Sequence, residues 1–494
     1  MIGRLLLVAL FTGGLLQLRP LAAQQDGAAE RLLLEAQRLE REGKLDEART
    51  EYELLVERFP DGQEAEAAQL ALAEAYWNDG DGDRSRTLLD SLTDGRPDSP
   101  NAAAAWVLRG RFLVERAANR AELAEARTPF RRVPVLFGSV EYPQLGARVE
   151  ARVRSGEVNL LLGEPELAAV DFLEAIEDEN RSPWLPRALY GFARSLLAQG
   201  DRVAGADTLE RVLRDPDAAE ALRSSAATDL AFLHRHWIRP SLGQPRWTTA
   251  RAVTGVELRK PQKIAVSLDG RVLVWDEGQS QVLVLSSDHA VESRSPQTQV
   301  RDLWWSPDGR PFASVPDAVI ALADGSRQPL TVGGTALRDL GAGATGFLDE
   351  RFVVDRARKA LVAFDRNGVT QTLSTAAADV IDVAVGTRGE LLVLDRKKSD
   401  VSTLGLPAEA AGTRFTGSWR KPQAMAVDPS GNVFVLDAAE NQIEVRDPAG
   451  ARTGAVGPVL PGGIELRSPE DIAVDGAGRL YVIDSRLAQL VILE

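Results

Sequence analysis

The sequence predicts a multidomain α + β protein in which an N-terminal α-solenoid of helical hairpins precedes a C-terminal, all-β six-bladed propeller. From Ala29 to Trp237, apolar residues recur with the period of an amphipathic helix, in a background rich in Ala, Leu, Glu and Arg. From Lys260 onwards, short alternating apolar runs separated by Gly-containing turns recur about every 40 residues. The chain has 494 residues, of which 44% are hydrophobic and 26% charged, so it is long enough for two or three ordinary globular domains.

The first 23 residues have the pattern of a secretory signal peptide. Arg4 precedes an apolar run from Leu5 to Leu18, and small residues end the segment at Ala23. We therefore expect cleavage after Ala23 and a periplasmic or secreted protein with no membrane span in the mature chain. The alternative is an uncleaved N-terminal anchor.

The helical region, predicted to cover residues 27–237, contains a repeated spacing. Ala48, Tyr52, Leu55 and Pro60 lie four, three and five residues apart, so that a small residue admits a neighbouring helix and a proline ends the second helix of a hairpin. The same frame returns at three further places, namely Ser85-Leu89-Leu92-Pro97, Ala168-Phe172-Ala175 and Gly205-Leu209-Val212.

This spacing resembles the tetratricopeptide repeat (TPR), and the region is similar to periplasmic TPR proteins of envelope assembly. The frame predicts hairpins that start near residues 29, 66, 149 and 186, with an irregular one near 107. A final helix from Ala218 to Trp237 is expected, because the last repeat of a solenoid has to be capped.

Two segments interrupt the helical pattern. Arg127 to Gly146 contains three prolines and is predicted not to form a continuous helix. It is interpreted either as a long loop that packs Phe130, Phe137 and Tyr142 on the solenoid, or as a partner-binding loop that presents them. Residues 238–246 are predicted to be a short, semi-rigid linker.

The C-terminal region, predicted to cover residues 247–494, contains three well-preserved copies of one repeat. They are Lys260 to Leu285, Lys421 to Val445 and Ser468 to Glu494, and weaker copies start near Asp302, Asp339 and Asp382. The common pattern, P-x-x-[IM]-A-V-[DS]-x-x-G-x-[LV]-x-V-x-D, resembles the NHL repeat. One marker residue per unit gives six blades; the markers are Ile264, Leu303, Leu340, Val383, Met425 and Ile472.

The last repeat stops after its third strand. Trp247 to Val253 precedes the first blade and has a β-like sequence, WTTARAV. We expect this segment to supply the missing outer strand of the last blade, which would join the two ends of the propeller and remove an exposed edge.

Charged residues are predicted to ring one mouth of the propeller channel. The positions just before the innermost strands read Lys263, Asp302, Asp339, Asp382, Ala424 and Asp471, with Arg301, Arg338 and Arg420 among the basic residues upstream. On the structural interpretation the carboxylates accept hydrogen bonds from loop amides and the arginines form exposed ion pairs. On the functional interpretation the mouth binds a polar or peptide-like ligand, and four aspartates are also a donor set for Ca²⁺.

The composition argues against catalysis and against nucleic-acid binding. The net charge is −14, whereas phosphate binding needs a basic face. Cysteine is absent, which also removes any lipoprotein-type cysteine, and histidine occurs only at His234, His236 and His289. A gluconolactonase-like site would need channel Asn residues, and a site like that of the NHL-containing amidating lyases would need several histidines; neither set is present.

The sequence therefore predicts a non-catalytic, cofactor-free protein-interaction scaffold of the cell envelope, which binds other envelope or secreted proteins or peptides through the helical groove and the propeller face. The alternative is a propeller hydrolase or lyase, or a small-ligand sensor, that uses the channel-mouth aspartates, with or without Ca²⁺. The sequence names neither the partner, the pathway nor the oligomeric state.

Overall fold

The structure is a computed structural model that describes residues 21–99, 101–138, 145–178, 182–364, 370–374, 379–387, 389–404 and 411–494. Residues 1–20 of the predicted signal peptide and Tyr142 lie outside the described residues. The chain divides into two compact units. One comprises Met1–Phe112 and Val135–Ala147, and the other comprises Leu113–Pro134 and Arg148–Glu494.

Helices form the N-terminal part of the described chain. They are α1 (Leu21–Arg41), α2 (Leu45–Arg58), α3 (Gln63–Asn78), α4 (Gly82–Thr93), α5 (Ala102–Arg116), α6 (Arg120–Leu136), α7 (Leu145–Leu161), α8 (Pro165–Asp178), α9 (Leu185–Ala198), α10 (Arg202–Arg214) and α11 (Glu220–Leu233). Consecutive pairs give five hairpins followed by one further helix in the described ranges, which confirms the predicted arrangement. None of these described helices combines the length and the apolar character that crossing a bilayer requires.

The repeated spacing marks the second helix of four of the five hairpins, as expected. Ala48, Tyr52 and Leu55 are buried on α2, which ends at Arg58 just before Pro60. The matching residues of α4, α8 and α10 are buried too. Four of the tight turns between paired helices contain a glycine with positive φ, a conformation that other residues adopt only with strain; these are Gly43, Gly80, Gly163 and Gly200.

Helix α8 packs closely against both of its neighbours through Phe172. A Cβ atom at Gly156 of α7 would lie 2.8 Å from the Phe172 ring, and one at Gly191 of α9 would lie 2.2 Å from it. Glycine at these two positions makes room for the buried ring. The three helices are thereby held at short range.

Arg127 to Gly146 is not one continuous helix, as predicted, since α6 ends at Leu136 and α7 begins at Leu145. The interpretation of its first half as a loop is wrong, because α6 continues to Leu136 with Pro129 and Pro134 inside it. A proline inside a helix costs ~3 kcal/mol through the lost N–H and the ring clash. Here Phe130 and Val133 are fully buried on the same helix. Burial of two large apolar side chains contributes a similar amount in the opposite direction, ~1.5–3 kcal/mol each, so tertiary packing overrides the local signal.

The C-terminal part consists of six blades in the described residues, which confirms the predicted propeller. Its strands are β1 (Ala250–Ala252), β2 (Pro261–Val266), β3 (Val272–Asp276), β4 (Gln281–Leu285), β5 (Val291–Pro296), β6 (Asp302–Trp305), β7 (Pro311–Val315), β8 (Ala318–Ala321), β9 (Arg327–Gln328), β10 (Thr331–Val332), β11 (Thr335–Ala336), β12 (Leu340–Thr345), β13 (Arg351–Asp355), β14 (Ala360–Phe364), β15 (Thr370–Ser374), β16 (Val380–Val385), β17 (Leu391–Asp395), β18 (Asp400–Leu404), β19 (Ala411–Thr416), β20 (Pro422–Val427), β21 (Val433–Asp437), β22 (Gln442–Arg446), β23 (Arg452–Val456), β24 (Pro469–Val474), β25 (Leu480–Asp484) and β26 (Gln489–Leu493).

Each blade is an antiparallel four-stranded sheet, and its first strand is the innermost. In order, the blades are β2–β5, β6–β9, β12–β15, β16–β19, β20–β23 and β24–β26 with β1. A separate hairpin, β10–β11, lies between the second and third blades. Apolar side chains of adjacent blades interleave in a series of buried clusters around the ring.

The aspartate that ends the second strand of the repeat pattern has a structural role. In the first blade, the Asp276 carboxylate accepts hydrogen bonds from the backbone N–H of Arg259 (2.7 Å) and of Lys260 (2.8 Å). Asp437 and Asp484 do the same in the fifth and sixth blades. In these three blades the aspartate therefore fixes the loop that leads into the innermost strand.

The predicted closing strand is present. Strand β1 pairs with β26, with Ala250 opposite Leu493. The pairing continues beyond the strand, because Glu494 donates its N–H to the Thr249 carbonyl (2.9 Å) and Val253 donates to Leu490 (2.8 Å). The last blade thus takes its outer strand from the segment that precedes the first blade.

The third blade corrects one sequence marker. Its innermost strand has an irregular register between Leu340 and Gly343, and Gly343 rather than Leu340 lies opposite the residue that matches the partner of Ile264. The markers 264, 303, 343, 383, 425 and 472 are then 39, 40, 40, 42 and 47 residues apart. Gly343 is required there, because a Cβ atom would lie 2.6 Å from the Trp304 ring of the second blade.

In the second unit, the end of α11 packs on the propeller. A π-helical turn, His234–Ile238, follows α11 and leads into the short helix α12 (Arg239–Ser241). His236 is buried, with its Nε2 3.0 Å from the Gly478 carbonyl oxygen, and Trp247 Nε1 donates to the same oxygen (3.0 Å). The domain boundaries at 237 and 247 stay predictions.

Candidate functional site

The innermost strands bring one side chain from each blade together near the start of the channel. By strand register these are Lys263, Asp302, Ala342, Asp382, Ala424 and Asp471, which we call the axial ring. Aspartate occupies every second blade. The two alanines and Lys263 occupy the blades between.

The three aspartates of the axial ring join adjacent blades through backbone amides. Asp382 accepts a hydrogen bond from the N–H of Val383 in its own strand (2.8 Å) and from that of Met425 in the next blade (2.6 Å). Asp471 accepts from the N–H of Ile472 (3.0 Å) and from that of Ile264 (3.1 Å).

Asp302 completes the pattern, because it accepts from the N–H of Leu303 and from that of Gly343 in the next blade (2.9 Å). Six backbone donors around the axis are therefore satisfied by three carboxylates. Acceptance of backbone N–H groups is one of the two interpretations given above for these aspartates, and ligand binding by them stays a prediction.

Lys263 places a positive charge among these carboxylates. Its Nζ lies 3.6 Å from Asp471 Oδ2 and 3.8 Å from Asp302 Oδ1, and its side chain is 19% exposed. Burial by itself lowers the pKa of Lys263, but the carboxylates of Asp471 and Asp302 raise it above its ordinary value. Burial raises the pKa of Asp302 to about 6 and that of Asp382 well above its ordinary value.

The structure places Asp339 outside the axial ring. Asp339 lies three residues before Ala342, the residue of the third blade that occupies the ring position, and it corresponds to Lys260 of the first blade. It is paired at 3.9 Å with Arg301 and also with Arg356. Arg420 forms an exposed ion pair with Glu440, and Arg338 is exposed. Ligand binding by these mouth residues stays a prediction.

The two described aromatic residues of the predicted partner loop are buried. Phe130 and Phe137 are each 1% exposed, so neither side chain forms an accessible surface.

A cation at the axial ring would have to compete with the Lys263 ammonium group. In the described parts of the chain, no group of three or more His, Cys, Asp or Glu side chains is placed to hold a metal ion.

A large cleft lies within the second unit, between the helices and the propeller. It has a volume of about 1180 Å³ and is lined by α7, α9 and α11 and by turns that connect innermost to second strands in the propeller. Helices α7 and α9 are the first members of their hairpins, and α11 is the single helix that follows the last hairpin. Helix α8 adds Pro165 and Phe172 to the lining. We call this space the interdomain cleft.

The walls of the interdomain cleft are largely apolar and aromatic. Trp184, Tyr190 and Leu222 line it from the helical side. From the propeller side, Leu268 and Phe347 line it and are 62% and 38% exposed. Exposed large apolar side chains that face a cavity are typical of surfaces that bind a partner.

A polar network lies on one wall of the cleft. The Tyr190 hydroxyl donates to Asp229 Oδ2 (3.1 Å), and Arg194 Nη1 donates to the Tyr190 oxygen (3.3 Å) while lying 4.0 Å from Asp229. Burial raises the pKa of Asp229 and also that of Tyr190. Arg187 of the same helix, α9, forms an ion pair with Glu157 of α7.

The width of the interdomain cleft is fixed by the contact of α11 with the propeller. The His236 ring stacks on Phe232 of α11 with centroids 4.7 Å apart and meets the edge of Trp247 at 5.7 Å. Arg235 donates to the Ala477 carbonyl. Burial lowers the pKa of His236 to about 4, so the ring is neutral at physiological pH. The two walls are held by buried, specific contacts within one compact unit.

The sequence analysis missed this cleft. Its helical wall combines residues from two hairpins and from α11, and its propeller wall consists of short turns. One signal was available, because Leu268 and Phe347 are large apolar residues in turns whose other residues are mostly small or polar. An apolar residue at the tip of a blade turn has no blade core to enter, and therefore indicates a contact surface.

Comparison with known proteins supports the prediction that the helical part is similar to TPR-type proteins of the envelope. The family model described as "YfiO: Outer membrane lipoprotein" matches residues 25–177. The outer membrane protein assembly factor BamD of Neisseria meningitidis serogroup B is 35% identical over 89 residues, which is 18% of this chain and 33% of BamD. The chain thus spans about a third of the length of this relative. The predicted combination of a TPR-type helical region and a six-bladed propeller is confirmed.

Solved propellers resemble the C-terminal half. A streptogramin B lyase has a TM-score of 0.39 and 10% identity over 50% of this chain and 98% of its own. A gluconolactonase from Xanthomonas campestris has a TM-score of 0.42 and 15% identity over 50% of this chain and 90% of its own. The calcium-binding protein regucalcin from Agrobacterium tumefaciens has a TM-score of 0.39 and 12% identity, with coverage of 50% and 93%. These likenesses carry no argument about activity.

Proposed function

We propose that this protein is a non-catalytic scaffold of the bacterial cell envelope that holds segments of partner proteins in the interdomain cleft. The observation that carries the proposal is the cleft itself, about 1180 Å³ of largely apolar space between two walls. Small-molecule sites are typically about 300–1,000 Å³. A space above that range suits a stretch of polypeptide.

The envelope location is supported by two independent features. The leader pattern of residues 1–23 predicts export. The description of the matching family and the name of the relative both refer to the outer membrane. The word lipoprotein is not part of the proposal, because the sequence contains no cysteine to which a lipid could be attached.

The rigidity of the cleft also supports partner binding. Its walls are held together by the buried contacts of His236 and Trp247 with Gly478. A preformed site binds with less loss of conformational entropy than one that has to be ordered on binding. Neither wall has to be rearranged before a partner segment can enter.

The test is site-specific photocrosslinking in intact cells. A photoreactive benzoylphenylalanine is placed at Leu268, which lines the cleft and is 62% exposed, and in a control protein at Val459, which is outside the cleft lining and 60% exposed. We expect a defined crosslinked protein from position 268 and none of the same mass from position 459. Equal crosslinking at both positions, or none at 268, would refute the proposal.

A blocking variant completes the design. Ser225→Trp places a large side chain in the cleft lining, whereas Ser224→Trp changes the neighbouring exposed residue, which is outside that lining. The crosslink from position 268 should disappear in the Ser225→Trp background and persist in the Ser224→Trp background. Persistence in both would show that the partner does not enter the cleft.

A further inference from the structure

The charges that line the interdomain cleft are unequal. Four carboxylates line it, from Glu157, Asp217, Asp229 and Asp428, and two guanidinium groups, from Arg187 and Arg194. The formal balance of the lining is therefore two positive minus four negative charges, or −2. The whole chain is also negative, at −14.

The carboxylates differ in how well they are compensated. Glu157 is paired with Arg187 at 3.0 Å, and Asp229 lies 4.0 Å from Arg194. Asp217 is exposed, and the ion pairs found in the described ranges do not include it. Its carboxylate is thus available to a ligand.

Asp428 is buried and held by uncharged donors. Its oxygens accept from the backbone N–H of Ser430 and of Asn432, both at 2.9 Å, and from the Asn432 side chain at 2.6 Å. Burial raises the pKa of Asp428 to about 6, and the charge of Arg246 offsets only part of that rise. Asp428 lines the cleft from the propeller side without a Lys or Arg of the described ranges among its hydrogen-bond donors.

A purely apolar ligand would exclude water from these carboxylates without replacing the lost hydration. Burying an unpaired charge is strongly unfavourable, whereas burying a charge with an opposite partner is not. A ligand that carries Lys or Arg among apolar residues forms ion pairs with the carboxylates and also covers the apolar side chains of the cleft. An acidic ligand would add repulsion to the cost of desolvation.

We propose that the interdomain cleft selects partner segments that combine apolar residues with net positive charge, and that it rejects acidic ones. This inference rests on the proposed function and adds the chemistry of the partner. The apolar wall, which includes Leu268, Phe347 and Leu222, would provide most of the contact area. The carboxylates of Asp217, Asp229 and Asp428 would decide which apolar segments are accepted.

The test uses a phage-displayed library of random peptides. Peptides are selected on the full chain, and those that also bind the Ser225→Trp variant are discarded. Enrichment of Lys and Arg among apolar residues is the expected result. Enrichment of acidic residues, or of apolar residues with no bias of charge, would overturn the inference but leave the proposed function standing. If every selected peptide also binds the Ser225→Trp variant, both the inference and the proposed function are overturned.

The selected peptides then give a quantitative check. Labelled peptide is titrated against the wild type, against Asp217→Asn/Asp229→Asn, and against the control Asp317→Asn/Asp324→Asn, which changes two aspartates outside the cleft lining. We expect the cleft variant to bind about fivefold more weakly at low salt, with a smaller difference at high salt. Equal affinity of the three proteins would contradict the role given to the cleft carboxylates.

Discussion

The closing strand offers the sharpest test of how the propeller is stabilised. Thr249 and Val253 exchange backbone hydrogen bonds with the last strand, at Glu494 and Leu490. In an antiparallel pair such residues alternate, so Arg251 also donates its N–H towards β26, opposite Ile492. Replacing Arg251 by proline removes that donor and brings a ring against the neighbouring strand.

The expected loss of stability follows from these contacts. An unmade hydrogen bond that leaves a buried carbonyl without a donor costs about 1–3 kcal/mol. The proline ring adds to this cost, so we expect a total of roughly 2–4 kcal/mol. At a urea m-value of about 3 kcal/mol/M, the unfolding midpoint of Arg251→Pro should fall by on the order of 1 M.

Two matched variants separate the backbone from the side chain. Arg251→Ala removes only an exposed ion pair with Glu494 (3.2 Å), which is worth under ~1 kcal/mol. Ala252→Pro places the same ring where the N–H points away from β26. Urea unfolding is followed by circular dichroism and by tryptophan fluorescence. If Arg251→Pro has the midpoint of Arg251→Ala, the closing strand does not stabilise the propeller.

Three further outcomes are expected. Gly191→Ala should lower stability by about 1–3 kcal/mol, because the new methyl group overlaps the ring of Phe172; the double variant with Phe172→Leu should lose less than the sum of the single changes, as measured by urea unfolding. Asp382→Asn should cost about 1–3 kcal/mol, because an amide oxygen replaces two acceptor oxygens on buried N–H groups, whereas Asp339→Asn in the exposed pairs should change little. Neutral His236 should contribute stability fully above pH 6.5 and lose roughly 3 kcal/mol of it as the pH falls towards 4, because its folded pKa lies below the unfolded value of about 6.5. The stability difference between wild type and His236→Gln, measured at pH 7.5 and pH 4.5, should therefore shrink on acidification; a constant difference would contradict the burial argument.

Periodic features of the fold could be predicted from the sequence, and features that depend on packing could not. The helix spacing around Ala48 and the strand alternation around Ile264 reflect local geometry, so the hairpins and blades could be predicted. The closing strand could be predicted too, because an incomplete last repeat requires a partner. In contrast, α6 runs through Pro129, since burial of neighbouring residues outweighs the cost of that proline.

The candidate sites show the same limit. The sequence placed aspartate at the ring position of the second, fourth and sixth blades, but in the third blade it placed Asp339 where the structure has Ala342. The third copy lacks the A-V-D residues that set the frame in the well-preserved copies, so its marker was placed three residues too early. The interdomain cleft depends on how α11 packs against the turn at Gly478, a contact between residues far apart in the sequence. Only the apolar turn residues Leu268 and Phe347 pointed to it.

The pairing of Ala250 with Leu493 also has a consequence for the order of assembly. The ribosome makes one of these residues early and the other 243 positions later, counted as 493 minus 250. The first five blades are synthesised in between, and the ring of blades cannot close until the last strand has been synthesised. Contacts between such distant residues form slowly. Until the last strand is in place, the unpaired edge strands of the unfinished propeller are open to pairing with other chains.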